Sequence, residues 1–412
     1  MTNQFFTHPK TLQSLHEGPL GAHIDAYAAL LHEQGYGWQG GRRQIRWVAD
    51  LGGWLRRHNL TADDLSSQHL QAYLRYRRRH LRPHPSDSSA SKRLWRLLRE
   101  KGVVTQDPPF SAPDPLQRVE EDFGRYLLQE RGLALATVVY YRSFTRQFLL
   151  DRFGTDRIRF TRLGAADITT FVLRHAHDFS PGRAKLMVTA LRSFLRYLWQ
   201  RGEIASDLAA CVPGVPCWSF STLPKFLPPG QVRRVLHHCD RRTATGRRDY
   251  AILLLLARLG LRAGEVVTLT LDDIDWEGGR LTFRSKGGRW AELPLPADVG
   301  EALASYLQQG RPRCASRRVF IHQCPPRVGF ANSVAVCTIV KDALARAGVN
   351  SPRKGAHLFR HSLATGMLRQ GASLAQIGEL LRHQHPNTTT IYAKVDLPAL
   401  RSLALPWPGG GR

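Results

Sequence analysis

Two proline-rich stretches divide the chain and limit how far any helix can run. Residues 106–116 contain four prolines and residues 212–230 contain five. Proline lacks a backbone N–H and ends helices, so both stretches favour extended connectors between separately folded blocks. With 412 residues, the chain is long enough for two or three domains with cores of their own. The sequence therefore predicts an N-terminal domain, a second domain, a linker and a last domain at residues 1–110, 111–210, 211–230 and 231–412.

The first two predicted domains have the periodicity of amphipathic helices. Apolar residues recur at steps of three and four in residues 138–149, and residues 186–199 show the same spacing. Segments of the first domain also resemble segments of the second, as residues 30–35 resemble residues 127–132. We therefore predict two all-helical domains that are related by duplication. A chance likeness between amphipathic helices is the alternative.

Arginines interleave with the apolar residues of these helices and fall on the opposite face. Basic residues on one side of a helix can lie along a phosphate backbone, although a solvated helix face explains any single arginine equally well. The candidate DNA contacts of this kind are Arg142, Arg146, Arg192 and Arg196.

The pattern changes after residue 231. Residues 279–284 and 290–295 have strand character and flank Lys-Gly-Gly, which predicts a β-hairpin. Helical spacing surrounds this hairpin, with helices predicted near residues 333–347, 362–370 and 374–381. The predicted fold class is mainly α. Two N-terminal helical domains are followed by a mixed α/β domain that contains a small antiparallel sheet.

The charge balance favours a polyanionic partner. Lysine and arginine number 59 against 33 aspartates and glutamates, a net charge of +26. DNA or RNA is the first choice, with binding that weakens steeply in salt, and a ribosome-associated or generally basic protein is the alternative. The six cysteines form no Cys-x-x-Cys pair, so neither a metal site nor a disulfide framework is predicted. The N-terminus lacks signal-peptide order and no apolar run could span a bilayer, which predicts a cytoplasmic protein.

The last predicted domain carries a spaced set of cations that ends in a tyrosine. A phosphodiester under attack gains negative charge on its non-bridging oxygens, and fixed cations stabilise that charge. Arginine suits this task because its guanidinium donates two parallel hydrogen bonds to a phosphate and stays protonated. A tyrosine is a poor nucleophile near neutral pH and needs a base and cationic surroundings. The set consists of Arg262, Lys286, His357, Arg360, His383 and Tyr392.

The motifs around these residues resemble those of one enzyme family. Leu-Gly-Leu-Arg-Ala-Gly-Glu, Ser-Lys-Gly-Gly-Arg, His-Leu-Phe-Arg-His-Ser, Leu-Leu-Arg-His and Thr-Thr-Thr-Ile-Tyr occur in the order and at the intervals of the tyrosine recombinase (phage integrase) family. Residues 231–395 resemble its catalytic domain. Residues 115–205 resemble its core-binding domain more weakly, and residues 1–110 are interpreted as a second, core-binding-like unit.

The resemblance implies a role for each residue of the set. Arg262, Arg360 and His383 would hold the phosphate.

The other three residues would move protons and attack the phosphate. Lys286, at the hairpin, would protonate the departing 5′ oxygen. His357 would handle the proton of the nucleophile, Tyr392.

Three neighbouring residues are expected to support or adjoin the set. Glu265 lies three residues after Arg262, so it would orient an arginine or a histidine, with a plain intrahelical ion pair as the alternative. His361 is expected to pack or to form a hydrogen bond rather than to react. Arg289, at the hairpin, is a further candidate DNA contact.

The segment before the tyrosine departs from the family pattern. Arg382 stands where glycine is common, Pro386 lies between His383 and Tyr392, and Lys394 stands where histidine is frequent. These departures do not change the implied roles. The family pattern, however, gives no prediction for the backbone geometry around the tyrosine.

The resemblance further implies a reaction and partners. Attack by the tyrosine would give a 3′-phosphotyrosine and a free 5′-hydroxyl, so strands could be resealed without a nucleotide cofactor or a metal. The implied partners are double-stranded DNA with specific recombination sites and other copies of the chain, assembled as a tetramer, with partner recombinases left open. The expected role is integration, excision or transposition of a mobile element. The alternatives are a DNA-binding accessory protein that synapses sites without cutting and a type IB topoisomerase-like enzyme.

Overall fold

A computed structural model describes residues 2–81, 83–104, 115–154, 158–216, 223–285, 287–395 and 400–401. α-Helices dominate these residues. Their bounds are α1 Pro9–His16, α2 Ile24–Glu33, α3 Trp38–Arg57, α4 Ser67–His80, α5 Asp87–Glu100, α6 Pro115–Gln129, α7 Leu135–Phe153, α8 Ala165–Ala176, α9 Pro181–Gln200, α10 Pro229–His237, α11 Ala244–Arg258, α12 Ala263–Thr268, α13 Ala297–Gln309, α14 Val334–Arg346, α15 His357–Arg369 and α16 Leu374–Leu380.

Short 3₁₀ helices and one sheet complete the described elements. The 3₁₀ helices are Thr2–Gln4, Gly21–His23, Phe160–Arg162, Leu208–Cys211, Leu271–Asp273, Pro386–Thr388 and Thr390–Val395. The strands are β1 Ile274–Asp275, β2 Arg280–Arg284 and β3 Trp290–Pro294. None of the described helices is both long and apolar enough to cross a membrane.

Helices α1–α5 surround the first hydrophobic cluster. Helix α3 buries Ile45, Val48, Leu51 and Leu55 on one face and exposes arginines on the other. This alternation follows the 3.6-residue period that the amphipathic pattern predicts. The first 104 residues therefore have a buried core of their own.

Helices α6–α9 surround a second cluster that is rich in phenylalanine. The rings of Phe123 and Phe194 meet edge to face with centroids 5.1 Å apart. Phe148 and Phe171 repeat that arrangement at 5.1 Å. Aromatic pairs of this geometry contribute about 0.5–1.5 kcal/mol beyond the area they bury. The helices predicted at residues 138–149 and 186–199 are confirmed as parts of α7 and α9.

Helix α11 lies at the centre of the third cluster. Residues 251–256 are apolar all round and every one is buried, as expected of a helix enclosed on all sides. Helices α13 and α15 pack against it. The chain leaves α11 and reaches Arg262 within four residues, so this buried helix fixes the start of the candidate site.

The hairpin predicted around Lys-Gly-Gly is confirmed. Strands β1, β2 and β3 pair antiparallel in sequence order. Leu281 faces Leu293 and Phe283 faces Ala291 across β2 and β3. Leu281, Phe283 and Leu293 are buried, whereas alternate residues are exposed or half-buried. The sheet thus covers the core on one face and carries the hairpin tip beyond it.

The chain folds into two compact units. One contains residues 1–104 and 222–412, and the other contains residues 105–221. The mainly α fold class with a small antiparallel sheet is confirmed. The domain boundaries at residues 110, 210 and 230 stay predictions.

Candidate active site

Most of the predicted set lines one cavity of about 360 Å³. Arginine, histidine and tyrosine side chains from α12, α15 and the segment after α16 meet there. The predicted residues at its wall are Arg262, His357, Arg360, His361, His383 and Tyr392. Lys286 lies outside the described residues.

Arg360 is the most enclosed cation of the cavity, with 3% of its surface exposed. Its Nη1 donates to the carbonyl oxygen of Gly260, and its Nη2 donates to the carbonyl oxygen of Leu381. Gly260 has φ +57°, and a Cβ there would lie 2.7 Å from a Leu381 methyl carbon, so glycine is needed at this turn. Burial and the charges of Arg262 and Arg382 lower the pKa of Arg360 to about 10. The guanidinium is therefore still charged at neutral pH.

Arg262 is held at the start of α12 by Glu265. The arginine is the N-cap residue, and its backbone N–H donates to Glu265 Oε2 at 2.8 Å. Its Nη1 donates to Glu265 Oε1 at 2.7 Å. A carboxylate at the third helical position commonly caps the N-terminus in this way. One buried carboxylate therefore fixes both the backbone and the side chain of Arg262.

Arg382 is the second arginine at this carboxylate and the third of the cavity, and the set predicted from the sequence did not include it. Its Nη2 donates to Glu265 Oε2 at 3.1 Å, and its guanidinium lies over the Phe283 ring at 4.8 Å. Its carbonyl oxygen accepts from Arg262 Nη2 at 3.5 Å. Arg382 has φ +54°, the left-handed region that favours glycine. This conformation gives a physical reason for the glycine that is common here, and the arginine adds side-chain contacts that glycine lacks.

The arginines and the carboxylate leave the cavity with an excess of positive charge. Arg262, Arg360 and Arg382 carry three positive charges against the single negative charge of Glu265. Glu265 is 3% exposed, so water screens these charges weakly. Such a site favours a bound phosphate group.

Tyr392 is buried at the wall of the same cavity. It lies on the 3₁₀ helix Thr390–Val395 and packs with Ala364, Ile377 and Leu381. Its hydroxyl lies 2.9 Å from His361 Nδ1. Burial raises the pKa of the Tyr392 phenol to about 12, although the nearby charge of Arg360 lowers it.

His361 is the histidine that meets the tyrosine hydroxyl in this structure. Burial, followed by the neighbouring His357 and Arg360, lowers its pKa to about 4. The ring is therefore neutral at pH 7 and its Nδ1 can accept the hydrogen bond from the phenol. His357 lies one helical turn earlier, exposed at the cavity mouth, with its ring centroid 6.3 Å from that of His361.

His383 lies beside the tyrosine ring. The two rings are nearly parallel, at 5°, with centroids 6.4 Å apart. Thr389 Oγ1 lies 2.7 Å from His383 Nδ1 and fixes the orientation of the imidazole. Burial, together with Arg360 and Arg262, lowers the pKa of His383 to about 4. Nε2 remains as the nitrogen able to contact a ligand.

The hairpin tip adjoins the cavity through Ser285. Its Oγ accepts from Arg262 Nη1 at 3.4 Å, and its backbone N–H donates to the Arg289 carbonyl at 2.7 Å. Gly287 and Gly288 have φ +90° and +79°, which the tight turn requires. The Arg289 side chain is exposed. Its contact with DNA stays a prediction.

Three of the four candidate arginines on α7 and α9 have partners within their own unit. Arg146 Nη1 lies 3.4 Å and Arg142 Nη2 lies 3.8 Å from the buried carboxylate of Glu120. Arg192 donates to the Val212 carbonyl oxygen at 2.8 Å, and Arg196 is exposed. Glu120 was not identified from the sequence. DNA contact by these four arginines stays a prediction.

The cavity carries the positive charge that suits a bound anion. Its polar lining consists chiefly of guanidinium and imidazole groups. Within the described part of the chain, no group of three or more His, Cys, Asp and Glu residues is placed to hold a metal.

Comparison with known proteins decides the family. The phage integrase family model matches residues 225–397. The protein y4rA of Sinorhizobium fredii, named as an integrase/recombinase, is 47% identical to this chain over 394 residues, covering 95% of this chain and 96% of y4rA. The chain belongs to the phage integrase family.

Solved structures of integrases and recombinases share the fold at low sequence identity. XerH site-specific recombinase bound to its palindromic difH substrate has a TM-score of 0.57 and 18% identity, covering 82% of this chain and 94% of XerH. A lambda integrase tetramer bound to a Holliday junction has a TM-score of 0.51 and 16% identity, covering 66% of this chain and 78% of the integrase. The fold of this family member is therefore that of these recombinases.

Proposed function

We propose that this integrase-family protein is a site-specific DNA recombinase that cleaves and rejoins strands through a 3′-phosphotyrosyl intermediate. One observation carries the proposal. A single cavity brings Arg262, Arg360 and His383 to the same place as Tyr392, with a neutral histidine at the tyrosine hydroxyl. An anion site beside a nucleophile and its base is the arrangement that phosphodiester transfer requires.

The scissile phosphate would bind between the two predicted arginines. Arg360 is fixed by two backbone carbonyls and Arg262 by Glu265, so neither guanidinium has to reorganise when charge develops on the phosphate. Preorganised donors of this kind contribute about 3–4 kcal/mol each to transition-state stabilisation. Arg382 adds positive charge to the cavity and shares the Glu265 carboxylate with Arg262.

In the cleavage step, Tyr392 Oη would attack phosphorus and its O–H proton would pass to His361 Nδ1. The bond between phosphorus and the 5′ oxygen breaks, and that oxygen takes up a proton to leave as a hydroxyl. Ionising a phenol of pKa about 12 in advance, at pH 7, would require about 7 kcal/mol. The proton therefore moves as the O–P bond forms. Rejoining is the reverse of this step.

Other residues of the set take roles around this step. His383 would donate from Nε2 to a phosphate oxygen, which requires the Thr389 hydroxyl to donate to its Nδ1. His357, exposed at the cavity mouth, would face the bound DNA and assist proton transfer. Lys286 would protonate the leaving 5′ oxygen, as its place at the hairpin tip in the sequence suggests.

The expected substrate is double-stranded DNA with a specific recombination site, bound by several copies of the chain. The relatives support this assignment, because the XerH structure contains difH DNA and the lambda integrase structure is a tetramer on a Holliday junction. A net charge of +26 fits a DNA partner. We propose a homotetramer that integrates, excises or transposes a mobile element.

A suicide-substrate assay tests the proposal. Nicked duplexes from the ends of the encoding element, in which cleavage releases a short strand, should trap the wild-type protein as a covalent adduct. Tyr392→Phe should bind the same duplex and form no adduct. Supercoiled plasmid without a recombination site serves as the control, since an enzyme that relaxes it catalytically is a topoisomerase. Absence of any wild-type adduct on element ends would refute the proposal.

A further inference from the structure

The N-terminal region contains a second cationic cavity, far along the sequence from the catalytic set. It has a volume of about 470 Å³ and lies along the N-terminal half of α3. Four arginines and two aspartates line it, a net charge of +2. The arginines are Arg42, Arg43, Arg46 and Arg77.

One arginine forms ion pairs with both aspartates that line the cavity. Arg77 Nη1 lies 3.2 Å from Asp50 Oδ2, and Arg77 Nε lies 3.2 Å from Asp87 Oδ2. Arg77 is itself mostly enclosed, and its single positive charge offsets one of these two acids within the wall of the cavity. The three arginines of α3, set against the remaining acid, leave the net charge of +2.

Aromatic rings hold two of the α3 arginines in place. The Arg42 guanidinium lies 4.1 Å from the Trp38 ring centroid and 4.9 Å from that of Phe6. Arg46 lies 5.6 Å from Phe6. Cation–π contacts of this kind restrict a guanidinium without neutralising its charge. Trp38 is 54% exposed, so the cavity has an aromatic residue at its rim.

Two buried donors at the cavity lack partners within the described residues. Trp47 is 2% exposed, and its Nε1–H has no hydrogen-bond acceptor there. The Nε of Arg42 is buried and likewise unpaired. An unpaired buried donor costs about 1–3 kcal/mol, so native structures rarely keep one without a ligand or water. Both side chains line the cavity, and both groups can only donate.

A third α3 arginine is oriented by a histidine. Arg43 Nη1 donates to His84 Nε2 at 2.9 Å, while His84 Nδ1 lies 2.7 Å from Ser86 Oγ. The remaining N–H groups of Arg43 are therefore presented in a defined direction.

We infer that this cavity binds the phosphate backbone of DNA. The inference rests on the proposed function, because it assigns a second contact with the same DNA. Unpaired donors, fixed guanidiniums and an exposed tryptophan at the rim suit a phosphodiester strand. The α3 segment over residues 39–46 extends about 10 Å, enough for about three phosphates at 3.4 Å of helix axis per strand. Residues 1–104 hold sixteen lysines and arginines against eight acids, a charge that favours a polyanion.

The salt dependence of DNA binding tests the inference in the full-length protein. Fluorescence anisotropy with a 30-base-pair duplex, at about 50–200 mM salt, gives the slope of log K against log salt. The cavity variant is Arg43→Gln with Arg46→Gln. The matched control is Arg56→Gln with Arg57→Gln, which removes the same charge from exposed residues at the other end of α3.

We expect the cavity variant to flatten the slope by about 1.8 and to weaken binding at least tenfold at about 0.1 M salt, since each lost phosphate contact contributes about 0.9 to the slope. The control should change affinity less than threefold. Trp47→Phe, which keeps an aromatic side chain but replaces the larger indole and removes its N–H, should weaken binding without changing the slope. Circular dichroism checks that each variant is folded.

Two results would overturn the inference. Equal losses in the cavity variant and the control would show that net charge alone matters. Displacement of the duplex by inorganic phosphate at matched ionic strength, in the wild type and not in the cavity variant, would assign the cavity to a small anion. The catalytic proposal is tested separately, because Tyr392→Phe should lose the covalent adduct and keep the wild-type salt slope.

Discussion

Glu265→Gln is the substitution that most sharply tests how the catalytic arginines are held. Glutamine keeps an oxygen that can accept the Arg262 backbone N–H, so the cap of α12 survives. The change removes the one negative charge shared by Arg262 and Arg382, whose nitrogens lie 2.7 and 3.1 Å from the carboxylate oxygens. The glutamine NH₂ would also face one of the guanidiniums, which places two hydrogen-bond donors against each other.

The size of the effect follows from burial. Glu265 is 3% exposed and the Arg382 side chain is 12% exposed, so solvent screens their interaction weakly. Removing one member of a buried ion pair costs about 3–5 kcal/mol. For a region of about 190 residues, 3 kcal/mol lowers Tm by roughly 6–12 °C. With Arg262 no longer fixed, we expect adduct formation to slow about 100-fold, the lower end for loss of one transition-state donor.

Calorimetry and single-turnover cleavage of the suicide substrate measure the two effects. Glu292→Gln is the matched control, because Glu292 is 55% exposed and its oxygen lies 3.2 Å from Arg280 Nη1. An exposed pair contributes less than about 1 kcal/mol, so this variant should stay close to wild type in both assays.

A double substitution separates the loss of charge balance from a general destabilisation of the fold. In the Glu265→Gln background, Arg382→Gly removes a cation that has lost its counter-charge, so it should restore part of the lost Tm. The reasoning is refuted if Glu265→Gln cleaves within threefold of wild type, or if Arg382→Gly lowers Tm equally in both backgrounds.

Three further predictions concern the residues around Tyr392. Arg382→Gly alone should destabilise the protein less than Glu265→Gln, because Glu265 keeps Arg262 as its partner and relief of φ +54° returns about 1–2 kcal/mol, yet should slow adduct formation about tenfold; unchanged cleavage would exclude a role for Arg382. Thr389→Val should slow cleavage about tenfold by freeing the His383 ring, with Thr390→Val as the control. The second-order cleavage rate should fall less than twofold from pH 8 to 5.5, because His361 and His383, with pKa about 4, stay neutral; a tenfold fall would indicate a base of ordinary histidine pKa.

The elements that the sequence predicts well are those set by local pattern. Helix α7 and the β2–β3 hairpin follow from apolar periodicity and from glycines at a tight turn. The cavity residues were identified because their motifs carry both spacing and chemistry. Each of these signals lies within a short window of the chain.

The contacts that shape the site could not be read from such windows. Glu265 pairs with Arg382 across 117 residues, and Arg360 donates to a carbonyl 100 residues away. Only the folded chain brings such groups together, and only there does burial set a pKa. Arg382 did give a sequence signal, since a charged residue stands where glycine is common. Its left-handed backbone and its contact with Glu265 explain that signal physically.

The identity of His361 as the partner of Tyr392 also came from the structure. In the sequence, His357 and His361 are one helical turn apart, and the motif favoured His357 for the tyrosine proton. The structure places His361 Nδ1 2.9 Å from the phenol. His361→Gln and His357→Gln should therefore differ, with the larger loss of cleavage rate in His361→Gln.

The measurement that most directly tests the central claim is the chemical identity of the DNA–protein bond. The trapped adduct is digested with protease and nuclease, and the modified peptide is sequenced by mass spectrometry. The account predicts one phosphorylated residue, Tyr392, joined to the 3′ end of the cleaved strand, with a 5′-hydroxyl on the released strand. A bond to another residue, or to the 5′ end of the strand, would contradict it.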